Sequence, residues 1–193
     1  GPDDFWSNIG LSEIEIYGEE SDIEAAENKN HVNAAGVTAE ASTTEASSLP
    51  VSNIKDGNNQ TRWASDYSEA SKQTVTVTFP KVTLVKELDF DLHTRDVAPM
   101  PSNVKSFDLV YADAAGTEHT VKISNAKSTE SGKTGYVTNV QHIFETPVYM
   151  KSFKMTNFDL QIDIEGQNGY NNISILEVRA YSNDQSETPQ GQT

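Results

Sequence analysis

The stretch that says most about chemistry is Asn53-Ile-Lys-Asp-Gly-Asn-Asn-Gln-Thr-Arg-Trp-Ala-Ser65. Asp56, Asn58 and Thr61 put three oxygen-bearing side chains within six positions, and Gly57 permits a tight turn between them. Hard cations such as Ca²⁺ take about six to eight oxygens, many from backbone carbonyls, and a curled polar loop supplies them. The spacing is not that of an EF-hand, because Tyr67 stands at the twelfth loop position, where a glutamate is needed. An ordinary Asp-Gly-Asn turn uses the same residues, so spacing alone leaves both readings open.

Other chemistries find little support. His31, His93, His119 and His142 are scattered, with no His-Glu-x-x-His spacing. Ser131-Gly132-Lys133-Thr134 resembles part of a phosphate loop, but Lys127 occupies the place of its first glycine. No Gly-x-Ser-x-Gly elbow occurs. Carboxylates are plentiful, but none is marked out as half of a glycosidase pair. The absence of cysteine excludes disulfides, thiolate metal sites and a cysteine nucleophile.

Composition narrows the partners. Fourteen basic against 29 acidic residues give a net charge of −15, the wrong sign for nucleic acid or an anionic membrane. No apolar run approaches the ~20 residues that cross a bilayer as a helix. Only 35% of the 193 residues are hydrophobic, so polar loops or tails must dilute a modest core.

The elements that would position the loop are strands. Thr74–Phe79 reads TVTVTF, with Val75, Val77 and Phe79 on one face. Leu84–Leu92, Val104–Tyr111, His119–Ser124, Tyr136–Phe144, Val148–Phe158 and Ile173–Tyr181 follow, each broken by Gly, Pro, Asn or Ser. Short strands without intervening helical periodicity predict an all-β, antiparallel β-sandwich. Leu88, Phe90 and Leu92 alternate with Asp89, Asp91 and His93, which predicts one apolar and one wet face. A short strand is expected near Val37–Ala41. Residues 19–33 read as a linker and Asn183–Thr193 as a disordered linker. Ser7–Gly18 echoes Asn171–Ser182, with Asn, Ile, Glu and Tyr in register. Residues 1–18 are thus either an edge strand or the end of a preceding tandem copy. Gly1-Pro2 reads as a protease-cleavage scar.

The segment N-I-x-D-G-N-x-x-T-R-W-A-S resembles the hallmark of the discoidin family, the F5/8 type C domains. The carbohydrate-binding branch of that family is the family 32 carbohydrate-binding modules. Asn172-Ile-Ser-Ile-Leu-Glu-Val-x-Ala-Tyr181 is similar to the family's last strand, and the likeness runs over residues 34–182. It implies a jelly-roll-like sandwich with a structural calcium ion. Its ligands would be the Asn53 and Leu176 carbonyls, Asp56, Asn58, Thr61 and the Glu177 carboxylate. The resemblance also places Arg95, in Phe90-x-Leu-His-Thr-Arg-Asp96, at the family's sugar-contacting arginine, with Asn103 as its partner. Tyr170 falls where the family often carries its aromatic platform. Galactose-binding members have a histidine directly after the motif tryptophan; here Ala64 stands there, and His93 is the candidate substitute. Trp63 is expected in the core.

The resulting expectation is a non-catalytic, secreted carbohydrate-binding module, covalently linked to neighbouring modules of a larger, bacterial glycan-active enzyme. It would be monomeric, bind terminal sugars, and touch neither nucleic acid nor membrane. The alternatives are a protein-binding or adhesion module and a spacer without a sugar ligand. A phosphatidylserine binder is disfavoured by the charge.

Overall fold

The computed structural model describes residues 29–94, 103–128, 137–164, 167–168 and 171–186. The strand expected at residues 11–17, most of the expected linker, Arg95, Tyr170 and residues 187–193 lie outside these. Among the described residues nine strands follow one another: β1 (Thr38–Ala41), β2 (Trp63–Ala64), β3 (Val75–His93), β4 (Asn103–Asp113), β5 (Glu118–Ser124), β6 (Val137–Gln161), β7 (Asp163–Ile164), β8 (Gln167–Asn168) and β9 (Ser174–Tyr181). Every pairing is antiparallel. The hydrogen-bonded order is β2-β9-β3-β6-β4-β5, with β1 also on β3, and β7–β8 form a separate pair.

Two long strands make this a sandwich. The first part of β3, Val75–Thr78, lies between β1 and residues Ser152–Met155 of β6. Its second part, Glu87–His93, lies between β9 and Val137–Ile143 of β6. The register shifts in between, from Thr78 to Thr83 and from Val85 to Glu87, so each long strand passes from one layer to the other. Pro80 and Pro147 sit at these irregularities, where a proline removes no regular ladder bond. The sequence pattern breaks each of these strands into two, because a proline reads as a stop; in the fold it marks a bulge.

The core is the one that alternation selects. Val75, Val77, Leu88, Phe90 and Leu92 of β3, and Phe107 and Leu109 of β4, are buried. Phe90 meets Phe107 edge-on across the layers at a centroid distance of 5.0 Å. Phe107 in turn touches Phe158 at 5.6 Å. Trp63 is fully buried, as expected, and its Nε1 donates to the Thr43 carbonyl at 3.1 Å.

Three expectations fail in detail. The face of β3 expected to be wet is covered: Glu87, Asp89 and His93 are buried. β9 lies alongside and the chain beyond it folds back, so that the Gln185 N–H donates to Glu87 Oε2 at 2.6 Å. The expected tail is therefore part of the fold as far as Ser186. The end of the expected linker is also structural. It forms a 3₁₀ turn, His31–Asn33, that buries Val32, and Asn30 Oδ1 accepts from the Val32 and Ala180 amides at 3.0 Å each.

Candidate functional site

Two anchors hold the Asp56–Thr61 loop. Ile54, in the 3₁₀ turn Val51–Lys55, is fully buried on one side. Trp63 on the other side pairs with Ile175 of β9. The chain between them must arch, and Gly57 turns it with φ of +75°, a left-handed conformation that costs a side-chain-bearing residue strain. The arch lies over β9, which is buried on both faces, and meets Glu177 there.

The result is a pair of carboxylates bridged by one amide. The Asn58 N–H donates to Asp56 Oδ1 at 2.8 Å and to Glu177 Oε1 at 3.0 Å, although 119 positions separate Asn58 from Glu177. The Thr61 hydroxyl donates to Asp56 Oδ2 at 2.7 Å. Asn58 Oδ1 accepts from the Gln60 amide, and Asn53 closes the loop by donating its Nδ2 to the Arg62 carbonyl at 2.8 Å. Burial, then the hydrogen bond and charge of Asp56, push the Glu177 carboxyl up to about 7. For Asp56 burial acts in the same sense, but the Thr61 hydroxyl and Asn58 amide outweigh it and hold that acid below its ordinary value.

Five of the six residues expected to surround a cation thus gather at one place: Asn53, Asp56, Asn58, Thr61 and Glu177. Leu176 is next to Glu177 on β9. Among the described residues no group of three or more His, Asp or Glu side chains is placed to hold a metal. A cation here would draw on two carboxylates and neutral oxygens. The donor set fits that role, being all oxygen, with one carboxylate only 3% exposed and repelled by its neighbour.

The expected sugar-contacting residues fall at the end of β3. His93 is 6% exposed, and its Nδ1 lies 3.2 Å from Ser174 Oγ. Ser174 is the register partner of Ala64. The imidazole therefore stands against the strand pair that carries the residue after the motif tryptophan, although Ala64 itself is fully buried. Asn103 is buried at the start of β4 and donates to Thr138 Oγ1 at 3.3 Å; Thr138 pairs with Leu92. His93 and Asn103 are thus brought to one end of the sandwich, through β6. Arg95 and Tyr170 lie outside the described residues. Two oxygens at this end, Thr94 Oγ1 and Asn172 Oδ1, are buried without a hydrogen-bond partner among the described residues.

Sequence reasoning missed an acid ladder beside the Asp56–Thr61 loop. Glu87, Asp89 and Asp91 share a face of β3, and Arg179 of β9 stands opposite Asp89. Arg179 Nη1 reaches Asp91 at 2.7 Å and its Nε lies 3.8 Å from Asp89. Asn139 donates to Asp91 and Gln141 to Glu87. Burial and the neighbouring Glu87 push Asp89 up to about 7, against the pull of Arg179. The alternation E-L-D-F-D was the available signal. An exposed strand face reads the same way, so only the cover from β9 reveals the ladder.

Comparison with known proteins agrees with the fold. No curated protein matches the chain. Among solved structures, a family 32 carbohydrate-binding module of Clostridium perfringens NanJ, in complex with galactose, has a TM-score of 0.53 at 20% identity, covering 75% of this chain and 93% of the module. Chitosan-binding module 1 of a Paenibacillus sp. IK-5 chitosanase/glucanase, as a V110M mutant, gives 0.52 at 21%, covering 79% and 99%. A Ruminococcus gnavus GH29 fucosidase in complex with fucose gives 0.53 at 14%; the match covers 84% of this chain and 28% of the fucosidase. The F5/8 type C domain model matches residues 38–178, which include both the Asp56–Thr61 loop and most of β9. With hallmark loop, closing strand and sandwich in agreement, the chain belongs to the F5/8 type C domain family.

Proposed function

We propose that the chain is a non-catalytic carbohydrate-binding module that brings an attached, secreted, bacterial glycan-active enzyme to terminal sugars. The observation that carries this reading is the polar cluster at the end of β3. His93 and Asn103 lie there, and Thr94 and Asn172 each keep a buried oxygen without a partner among the described residues. A buried polar atom left unpaired costs about 1–3 kcal/mol, so a ligand or water that satisfies it is favoured. Thr94 directly precedes Arg95, and Asn172 closely follows Tyr170. His93 takes the part of the histidine absent at position 64, and Arg95 and Tyr170 supply a cationic hydrogen-bond fork and a ring for the sugar's C–H face. Similar solved domains are described as a galactose-bound module and a chitosan-binding module, which supports a saccharide ligand without naming it. Weak binding repeated along a multimodular chain raises avidity through effective concentration.

In this reading calcium sits at the Asp56–Glu177 pair, with Asn58, Thr61 and the Asn53 and Leu176 carbonyls as further donors. Its part is structural: it neutralises the two acids and ties the loop to the last strand.

A glycan-array screen in calcium, followed by titration of each hit against Arg95→Ala, tests the proposal. Binding that Arg95→Ala abolishes supports it. A blank array from folded, calcium-loaded protein overturns it in favour of a protein-binding or spacer module.

A further inference from the structure

Where β3 and β6 pass from one layer to the other, the sheet carries apolar side chains that nothing covers among the described residues. Leu84 of β3 pairs with Tyr149 of β6, and Val82 stands two positions before Leu84, on the same side by strand alternation. Past the register shift Glu87 pairs with Ile143. Tyr149 is 49% exposed, and Val82 and Ile143 are 40% exposed each. Three of the six large hydrophobic side chains exposed among the described residues thus gather on one stretch of the β3–β6 pair. Scattered singly they would need no explanation; grouped, they mark a contact surface.

Both ends of the described chain come past this corner. His31 Nε2 lies 2.6 Å from Ser182 Oγ, which donates to the Leu84 carbonyl at 2.8 Å. Residues 1–28, which lie outside the described residues, therefore join the sandwich beside the partner of Tyr149. Residues 187–193 leave from the same side, but they hold no large apolar side chain. Residues 5–17 bring Phe5, Trp6, Ile9, Leu11, Ile14 and Ile16. Residues 18–28 between them and Lys29 span about 18 Å as a flexible linker and at most about 40 Å. A few strand spacings, about 15 Å, separate the His31 turn from Tyr149, so the segment reaches the surface with slack.

Charge points to the same occupant. Residues 1–28 hold nine of the 29 acids and none of the 14 bases. Lys81, Lys86 and Lys151 border the apolar stretch, with Glu145 as the acid on its rim. Glu87 is buried there and accepts from Gln141 and the Gln185 amide.

We propose that this surface is the docking site of the chain's own residues 5–17, with Ile14 and Ile16 packed against Val82, Ile143 and Tyr149. The tether makes a small contact sufficient, because a short linker holds the segment at an effective concentration in the millimolar range. Residues 1–18 then belong to this domain rather than to a preceding copy. Leu84 lies about 30 Å along β3 from His93, so a segment held here leaves the end of β3 clear. The proposal depends on neither the sugar site nor the cation.

The test is NMR of the methyl-labelled full chain. The expected result is NOEs from the Ile14 and Ile16 methyl groups to the Tyr149 ring and the Val82 and Ile143 methyl groups, independent of protein concentration. Mixing labelled with unlabelled chains should show these NOEs to be within one molecule. Ile14→Asp combined with Ile16→Asp should abolish them and shift the Val82, Ile143 and Tyr149 signals, while those of Ala64 and Thr94 stay in place. The NOEs of the unmodified chain do not depend on a variant folding. No NOE from residues 5–17 to this surface overturns the proposal, as do patch signals that the double substitution leaves unmoved. NOEs found only between molecules also overturn it and assign the surface to a second copy of the chain.

Discussion

Two carboxylate pairs, one buried in the sheet and one with an exposed partner, lie close together on this sandwich, and they handle the same repulsion differently. In one, Glu87 and Asp89 sit in the sheet; in the other, Asp56 of the loop meets Glu177 of β9. One acid of each pair is driven to about 7, in both cases first by burial and then by its carboxylate neighbour. The sheet pair has a covalent counter-charge in Arg179 and donors from Gln141 and the Gln185 amide. Among the described residues the loop pair has only neutral donors in contact, the Asn58 amide and the Thr61 hydroxyl, with Arg179 acting on Glu177 at a distance. The first pair is neutralised by the chain itself. The second has no charged partner in contact among the described residues, which is why the proposed calcium ion is assigned to it.

The largest effect that would break this contrast is removal of the guanidinium. Arg179→Leu strips the sheet acids of their counter-charge; because the side chain is 23% exposed, the loss should be about 2–3 kcal/mol rather than the full buried-pair value. Urea denaturation measures it, and an unchanged midpoint would show that Arg179 is not what holds the ladder.

Calcium should act on the other pair. At a free concentration about a hundredfold above its Kd it should add about 2–3 kcal/mol, raising Tm by roughly 5–10 °C. Scanning calorimetry in calcium and in chelator checks this. Glu177→Gln should erase the response and Asp89→Asn should keep it; the reverse pattern would assign the cation to the ladder.

The pH dependence sharpens the comparison further. The folded-state value of Asp89, about 7, lies above its ordinary 3.8. Between those values the native state holds a proton that the unfolded state has lost, so stability falls as pH rises towards about 7 and is flat above. In a Glu177→Gln background, going from about pH 5 to about pH 7 should cost about 1–2 kcal/mol. Adding Asp89→Asn should flatten that slope; an undiminished slope would place the titration elsewhere.

The smallest effect concerns the end of β3. Thr94→Val replaces a buried, unpartnered hydroxyl with a methyl group of similar shape, and should raise stability by about 1 kcal/mol in the absence of sugar. If Thr94 reads a sugar hydroxyl, the same variant loses affinity on the array. A destabilised Thr94→Val would mean that the hydroxyl is satisfied by bound water.

Much of the frame was legible because strand burial repeats every two residues. Val75, Val77, Leu88, Phe90 and Leu92 announce their layer by alternation alone. The turn at Asp56–Thr61 was legible because its polar residues are close in sequence and its Gly57 takes a left-handed conformation. The acid ladder was not legible. Glu87, Asp89 and Asp91 alternate just as a solvent-facing row would, and their burial depends on β9 and Gln185, about ninety residues further on. Pro80 and Pro147 misled in the same way, since a local stop signal and a bulge between layers look alike along the chain.

What the sequence determined by itself was therefore local: the β class, the apolar faces, the hallmark loop and the family it marks. The tertiary structure decided which polar groups meet. It set Glu177 against Asp56 and placed His93 beside the partner of Ala64. Periodicity and turn chemistry act over a few residues and leave a pattern in the chain. The desolvation and pairing of charges depend on contacts that only the closed sandwich makes.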